Sequence, residues 1–177
     1  ALEGAAHHAR KLWLLSYYFA GMRVSDVFRL RWSDFQNDRL HYEMGKNNKG
    51  GSLKVPEKAL KIIDQYRAAQ QKKDDLVFPE LKGVDFSDKF ITQRTIAFKT
   101  SSVDKCLKTQ VATAAGIDKK LTMHLARHSF AQMAGDKIPV QILQKLYRHS
   151  SIITTMGYQS NFTTQQTDDA LDKVLNM

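Results

Sequence analysis

The amino-acid sequence predicts a mainly α-helical domain that carries one small antiparallel β-sheet. Three features predict it. Apolar residues recur at helical spacing through most of the chain. One stretch, RLHYEM, alternates apolar and polar residues instead, and a turn-forming run and a second short strand follow it. The chain has 177 residues, 42% of them hydrophobic, which suits one domain with a real core and is too little for two large ones.

In chain order, residues 2–19 read as the first helix: Leu12, Leu15 and Phe19 repeat at helical spacing, and Gly21 breaks it. VSDVFRL starts a second helix, with Ser25 as its N-cap and Val24, Val27 and Phe28 as its buried face. In RLHYEM, Leu40, Tyr42 and Met44 lie on one side and Arg39, His41 and Glu43 on the other, as in a half-buried strand. GKNNKGG is a turn by composition, and SLKVP is the return strand, closed by Pro56. Residues 57–71 read as a helix and LVFP as a third short strand. Beyond it the chain is mostly helical. SDKFITQRTIAF and SVDKCLKTQVATAAG read as two helices, the second stopped by Gly116. Residues 123–133 form another, and PVQILQKLY the next, with Pro139 in its first turn. A Ser/Thr-rich turn leads to TTMGYQS. Residues 164–176 are a short amphipathic tail with Ala170, Leu171, Val174 and Leu175 as its stripe.

Composition narrows the function. Lys and Arg number 27 against 18 Asp and Glu, a formal charge of +9, which attracts nucleic acid or acidic membranes. The plainer reading is a basic protein with no polyanion partner. The longest apolar stretch, LWLLSYYFAGM, is too short to span a bilayer, so no membrane association is expected. The opening residues have no secretory signal pattern, and the single cysteine, Cys106, rules out an internal disulfide. A reducing, cytoplasmic setting is the expectation.

The stretch TMHLARHSFA sets His124 and His128 around Arg127 on one helix, where side chains three and four apart are neighbours. Three readings compete. The histidine spacing suits a zinc helix, but Leu125 stands where the metalloprotease pattern needs glutamate, and Arg127 would sit beside the cation. A structural reading buries His128 and turns Arg127 to water. An anion site is the third: guanidinium offers two parallel hydrogen bonds to phosphate and keeps its charge, and imidazole moves a proton near neutral pH.

Other residues supply what a phosphoryl-transfer site needs. Arg23 lies between two helices, close to a helix N-terminus that favours anions; its plainer reading is a salt bridge to Asp26 or Asp34. Lys46 starts the hairpin turn, where a lysine can reach a ligand or simply face water. His149 follows KLYR at a helix end, and Tyr158 follows Gly157 in a polar segment. The remaining tyrosines have structural explanations. Tyr17 and Tyr18 lie in the apolar first helix, Tyr42 on a strand, Tyr66 on a helix, and Tyr147 ends an amphipathic one.

Four boxes in order, AGMRVSDVFRLRW, GKNNKGGSLKVP, HLARHSFA and LYRHSSIITTMGY, span nearly the whole chain. Their succession resembles the tyrosine recombinases, also called phage-type integrases. The resemblance implies the DNA breaking-rejoining catalytic-domain fold and places the family's functional residues. Arg23 is the first arginine and Asp26 the acid that supports it. Lys46 is the hairpin lysine, with Lys49 the second choice and a DNA contact. His124 and Arg127 are the H-x-x-R pair, His149 takes the late histidine position, and Tyr158 is the nucleophile. His128 then packs inward or braces its helix. The sequence departs from the family at Arg148, where glycine is usual before the late histidine; arginine there strains the turn or adds a DNA phosphate contact. Gly157 is a smaller residue than is common before the tyrosine.

The implied activity is site-specific recombination of double-stranded DNA from a mobile element through a 3′-phosphotyrosine intermediate, with no metal or other cofactor. The family implies residues 1–177 are one catalytic domain with a 164–177 tail, without the N-terminal DNA-clamping domain. It also implies a monomer when free and a homo-tetramer on DNA joined through the tail, with docking of the tail on its own domain as the alternative, in a nucleoid-associated cytoplasmic setting. A type IB topoisomerase shares the chemistry but only relaxes supercoils. An inactive DNA-binding protein is the other alternative, and a metal-dependent nuclease is disfavoured because no carboxylate cluster stands out.

Overall fold

The computed structural model describes residues 2–44, 49–135, 137–147 and 152–159. The chain divides into two compact units, Ala1–Phe130 and Ala131–Met177. The first unit begins with α1 (Gly4–Tyr18), which contains no β-branched residue and buries Ala6, Ala9, Leu12 and Leu15 on one face. It ends in a left-handed turn at Ala20 (φ 55°) and Gly21 (φ 69°). The Met22 amide returns to the Ser16 carbonyl at 3.0 Å, and the buried Ser16 hydroxyl donates to the Met22 carbonyl at 2.6 Å. The chain leaves that turn extended at Arg23 (φ −62°, ψ 146°), so Arg23 occupies the N-cap of α2 (Val24–Arg29). Ser25, expected as the cap, lies instead within the first turn. Val27 and Phe28 are fully buried as expected, and Asp26 is buried with them.

The sheet has three strands in the order β1 (Phe35–Gln36), β2 (Arg39–Met44) and β3 (Lys49–Lys54), all antiparallel. Gln36 pairs with Arg39, which leaves a two-residue loop, Asn37 and Asp38, at φ 51° and 58°. Both values belong to the turn type that matches strand twist, and Asn and Asp tolerate it. In β2, Leu40 and Tyr42 are buried while Arg39 and His41 are exposed, as the alternation requires. The expected third strand, LVFP, is corrected: Leu76 makes only an isolated bridge with Arg31. Its Leu76, Val77 and Phe78 are all buried, so this segment fills the core instead of alternating, and Pro79 opens a short 3-10 turn.

The helix expected over residues 57–71 is α-helical only in α3 (Glu57–Ile63) and tightens to 3-10 over Asp64–Ala69. There Tyr66 meets His8 Nδ1 at 2.7 Å, and His8 Nε2 meets the buried Glu80 carboxylate at 2.6 Å. Burial and the nearby Glu80 charge push the Tyr66 phenol up from its usual range. The two helices expected between residues 87 and 116 are one: α4 (Lys89–Cys106) runs into a π-helical turn (Leu107–Val111) and α5 (Ala112–Ala114). No glycine or proline interrupts KTSS, and the Ser102 hydroxyl bonds back to Phe98 O at 3.2 Å, so the helix continues. Leu107 and Val111 join Leu12, Leu15, Phe19, Phe28 and Phe78 in the core.

α6 (Met123–Gly135) crosses the boundary between the units in sequence. The second unit packs α7 (Val140–Tyr147) on α8 (Ile152–Gln159), with Leu143, Tyr147 and Thr155 buried. TTMGYQS, read as a polar segment after a turn, is therefore helical up to Gln159. The tail over 164–176 lies outside the described residues. Among the described residues no helix is long and apolar enough to cross a membrane.

Candidate functional site

The site is assembled in the first unit from two places. One is the left-handed turn after α1, which the Ser16 hydroxyl holds and which delivers Arg23 to the start of α2. The other is the first two turns of α6, where His124, Arg127 and His128 lie within five residues. Arg127 joins the two. The residue is 3% exposed, and its guanidinium donates from Nη1 to the Gly21 carbonyl at 2.9 Å. Gly21 stands two residues before Arg23, so both arginines are referred to the same turn. A guanidinium has five N–H donors in a fixed fork, a geometry that suits a phosphate.

Asp26, one turn into α2, is 5% exposed, and its amide donates to the Arg23 carbonyl at 2.9 Å. The carboxylate is thus buried next in sequence to the turn that carries Arg23. His124 is exposed at the edge of the site, and its ring meets His128 edge-on at 4.5 Å between centroids. Partial desolvation pulls the His124 pKa below its ordinary value. The positive fields of His128, Arg127 and Arg23 act in the same sense, and Asp104 opposes them. The structure thus inverts the structural reading of TMHLARHSFA: Arg127 is buried, and His128 is exposed. His128 does not pack inward, because an exposed helix face places it beside His124.

Two residues without a recognisable local pattern fix this helix. The Trp13 indole N–H donates to the Thr122 carbonyl at 3.1 Å, and Asp104 Oδ1 accepts from the Met123 amide at 2.8 Å. Their partners lie 109 and 19 residues away in sequence, too far for any spacing rule to flag them.

Of the sequence-derived candidates, Arg23, Asp26, His124 and Arg127 are brought together. Lys49 opens β3, paired with Met44, rather than lying in the turn as read. Tyr158 lies on α8 in the second unit. Lys46, Arg148 and His149 lie outside the described residues. Tyr147 is fully buried, Tyr42 is buried and Tyr66 is engaged by His8, in keeping with the structural explanations given for them. Among the described residues no group of three or more His, Cys, Asp or Glu is arranged to hold a metal ion.

The family model described as the phage integrase family matches residues 2–165. A tyrosine recombinase of Thermosipho africanus is 29% identical over 160 residues, covering 89% of this chain and 51% of that protein. Tyrosine recombinase XerD of Proteus mirabilis is 31% identical over 150 residues, covering 80% of this chain and 44% of that protein. This chain therefore spans about half the length of these relatives. The fold is similar to a crystal structure of XerH site-specific recombinase bound to palindromic difH substrate in a post-cleavage complex. The TM-score is 0.63 at 21% identity, covering 97% of this chain and 48% of that one.

Proposed function

Because this chain belongs to the phage integrase family, we propose that it is the catalytic part of a site-specific recombinase that cuts and rejoins double-stranded DNA. The observation that carries the reading is the buried Arg127 guanidinium bonded to Gly21, two residues from Arg23. Two arginines referred to one turn carry the permanent charge and forked donors that suit a phosphate.

In this reaction the Tyr158 hydroxyl oxygen attacks a backbone phosphorus. A tyrosine–phosphorus bond forms and the bond to the 5′-oxygen breaks. Lys46 donates a proton to the departing 5′-oxygen, and His124 and His149 hydrogen-bond the phosphate and receive the tyrosine proton. Arg23 and Arg127 stabilise the charge of the pentavalent transition state, and Asp26 holds Arg23. The energy of the phosphodiester is kept in the protein–DNA bond, so the 5′-hydroxyl of a partner strand can attack and rejoin. Lys49 and Arg148 contact flanking phosphates. The element moved is a mobile one, and four copies assemble on DNA through the 164–177 tail from a free monomer.

The test is covalent trapping on nicked duplexes drawn from candidate element ends, in chelator, read on denaturing gels. The expected result is a denaturant-resistant adduct that maps to Tyr158 and is lost in Tyr158→Phe. An adduct at another residue, or one that persists in Tyr158→Phe, would overturn the assignment. Strand exchange between two duplexes separates recombination from supercoil relaxation alone.

A further inference from the structure

We propose that Asp104 and Trp13 are positioning residues that set the rotation of α6, and with it the placement of His124 and Arg127, by gripping one peptide unit from both ends. The inference rests on the reading of His124 and Arg127 as phosphate-facing groups.

The Thr122 carbonyl and the Met123 amide belong to the same peptide plane. Trp13 on α1 donates to that carbonyl at 3.1 Å, and Asp104 on α4 accepts from that amide at 2.8 Å. Because the peptide is planar, hydrogen bonds at both of its ends from two different helices resist its turning about the helix axis. His124 is the next residue but one after Thr122, and Arg127 follows one turn later. The first amides of any helix lack intrahelical acceptors, so an acceptor from another element also satisfies a group that would otherwise be unpaired. Trp13 is itself seated, its ring stacked on Tyr17 at 6.0 Å between centroids.

Asp104 has a second effect. The charged groups acting on the His124 ring are His128 and Arg127 on α6, Arg23 at the start of α2, and Asp104 on α4. Of these, Asp104 alone acts to raise the His124 pKa. Removing the carboxylate charge leaves the imidazolium among like charges and lowers the His124 pKa further.

The experiment compares Asp104→Asn, Asp104→Ala and Trp13→Phe with the wild-type chain. Asparagine keeps an acceptor for the Met123 amide and removes the charge. Alanine removes both, and phenylalanine removes only the indole donor. The first readout is the NMR titration of the His124 ring, which does not depend on activity. D104N is expected to move its midpoint down, because the one opposing negative charge is gone. The second is single-turnover adduct formation at saturating nicked duplex. D104A and W13F are expected to slow it about tenfold or more with DNA affinity unchanged. In D104N the limb of the pH–rate profile governed by His124 is expected to move to lower pH.

An unmoved His124 midpoint in D104N, or wild-type cleavage rates in both W13F and D104A, overturns the proposal. Should D104A not fold, D104N and W13F still decide it. If the wild-type chain forms no adduct at Tyr158, the catalytic reading fails. Amide and ring chemical shifts of residues 122–128 in W13F then test the grip by themselves, and unchanged shifts overturn it.

Discussion

Arg127 is the residue on which the site turns. Its burial at 3% exposure inverts the expectation that a helix-surface arginine faces water, and its bond to Gly21 supplies the reason. Nothing in HLARH distinguishes an inward arginine from an outward one, because the partner is a backbone carbonyl 106 residues earlier. Lysine at this position keeps the charge but not the planar fork. Arg127→Lys is expected to reduce the rate of adduct formation by about 10²- to 10³-fold in single-turnover trapping, the scale on which lost charge stabilisation is felt. His124 belongs to the same scale. Its pKa lies below the unfolded value of 6.5, so the unfolded chain binds its proton first as pH falls. Its stabilising share is therefore present above that value and is lost on acidification through the lowered folded value. Melting temperatures measured from pH 7.5 to 5 are expected to fall less in His124→Gln than in the wild-type chain.

At the scale of elements, the apolar period announces the first two helices correctly, whereas it divides α4 and its continuation into two and carries α3 too far. α1 and α2 follow from Leu12, Leu15, Val27 and Phe28, and β2 follows from its strict alternation over Arg39–Met44. The discrepancies have local physical causes. β1 is two residues long, below the length at which alternation can be seen, and the Asn37–Asp38 pair that turns it into β2 lacks the glycine of the strongest hairpin signals. LVFP has the composition of a strand, but its side chains are demanded by the core on every side. α8 carries Tyr158 on a helix that includes Gly157, where an added Cβ would meet nothing within 4 Å. Gly157→Ala is expected to stabilise α8 by about 0.5–1 kcal/mol, since glycine loses more backbone freedom in a helix. Slower amide hydrogen exchange across Ile152–Gln159 checks this. Faster exchange would show that the residue before Tyr158 needs glycine's freedom.

Across the whole molecule, the charge of +9 is the property that the proposed DNA partner would meet first. Binding that neutralises phosphates releases counterions and weakens steeply with salt. Affinity for a duplex is expected to fall about tenfold or more between 50 and 200 mM salt, measured by fluorescence anisotropy. A flat salt response would separate the basic composition from DNA binding.

Charge, class and the candidate chemistry were legible along the chain because they depend on composition, on local period and on short boxes such as AGMRVSD and HLARHSFA. These are properties of neighbours in sequence. The tertiary structure alone decided that Arg127 is buried on Gly21, that Ser16 braces the turn before Arg23, and that Trp13 and Asp104 hold one peptide of α6. Ser16 acts within its own turn, but the other contacts join residues 19 to 109 apart. A hydrogen bond between such partners leaves no periodic trace in the chain, because packing of separate elements, and not local propensity, brings them within 3 Å or so.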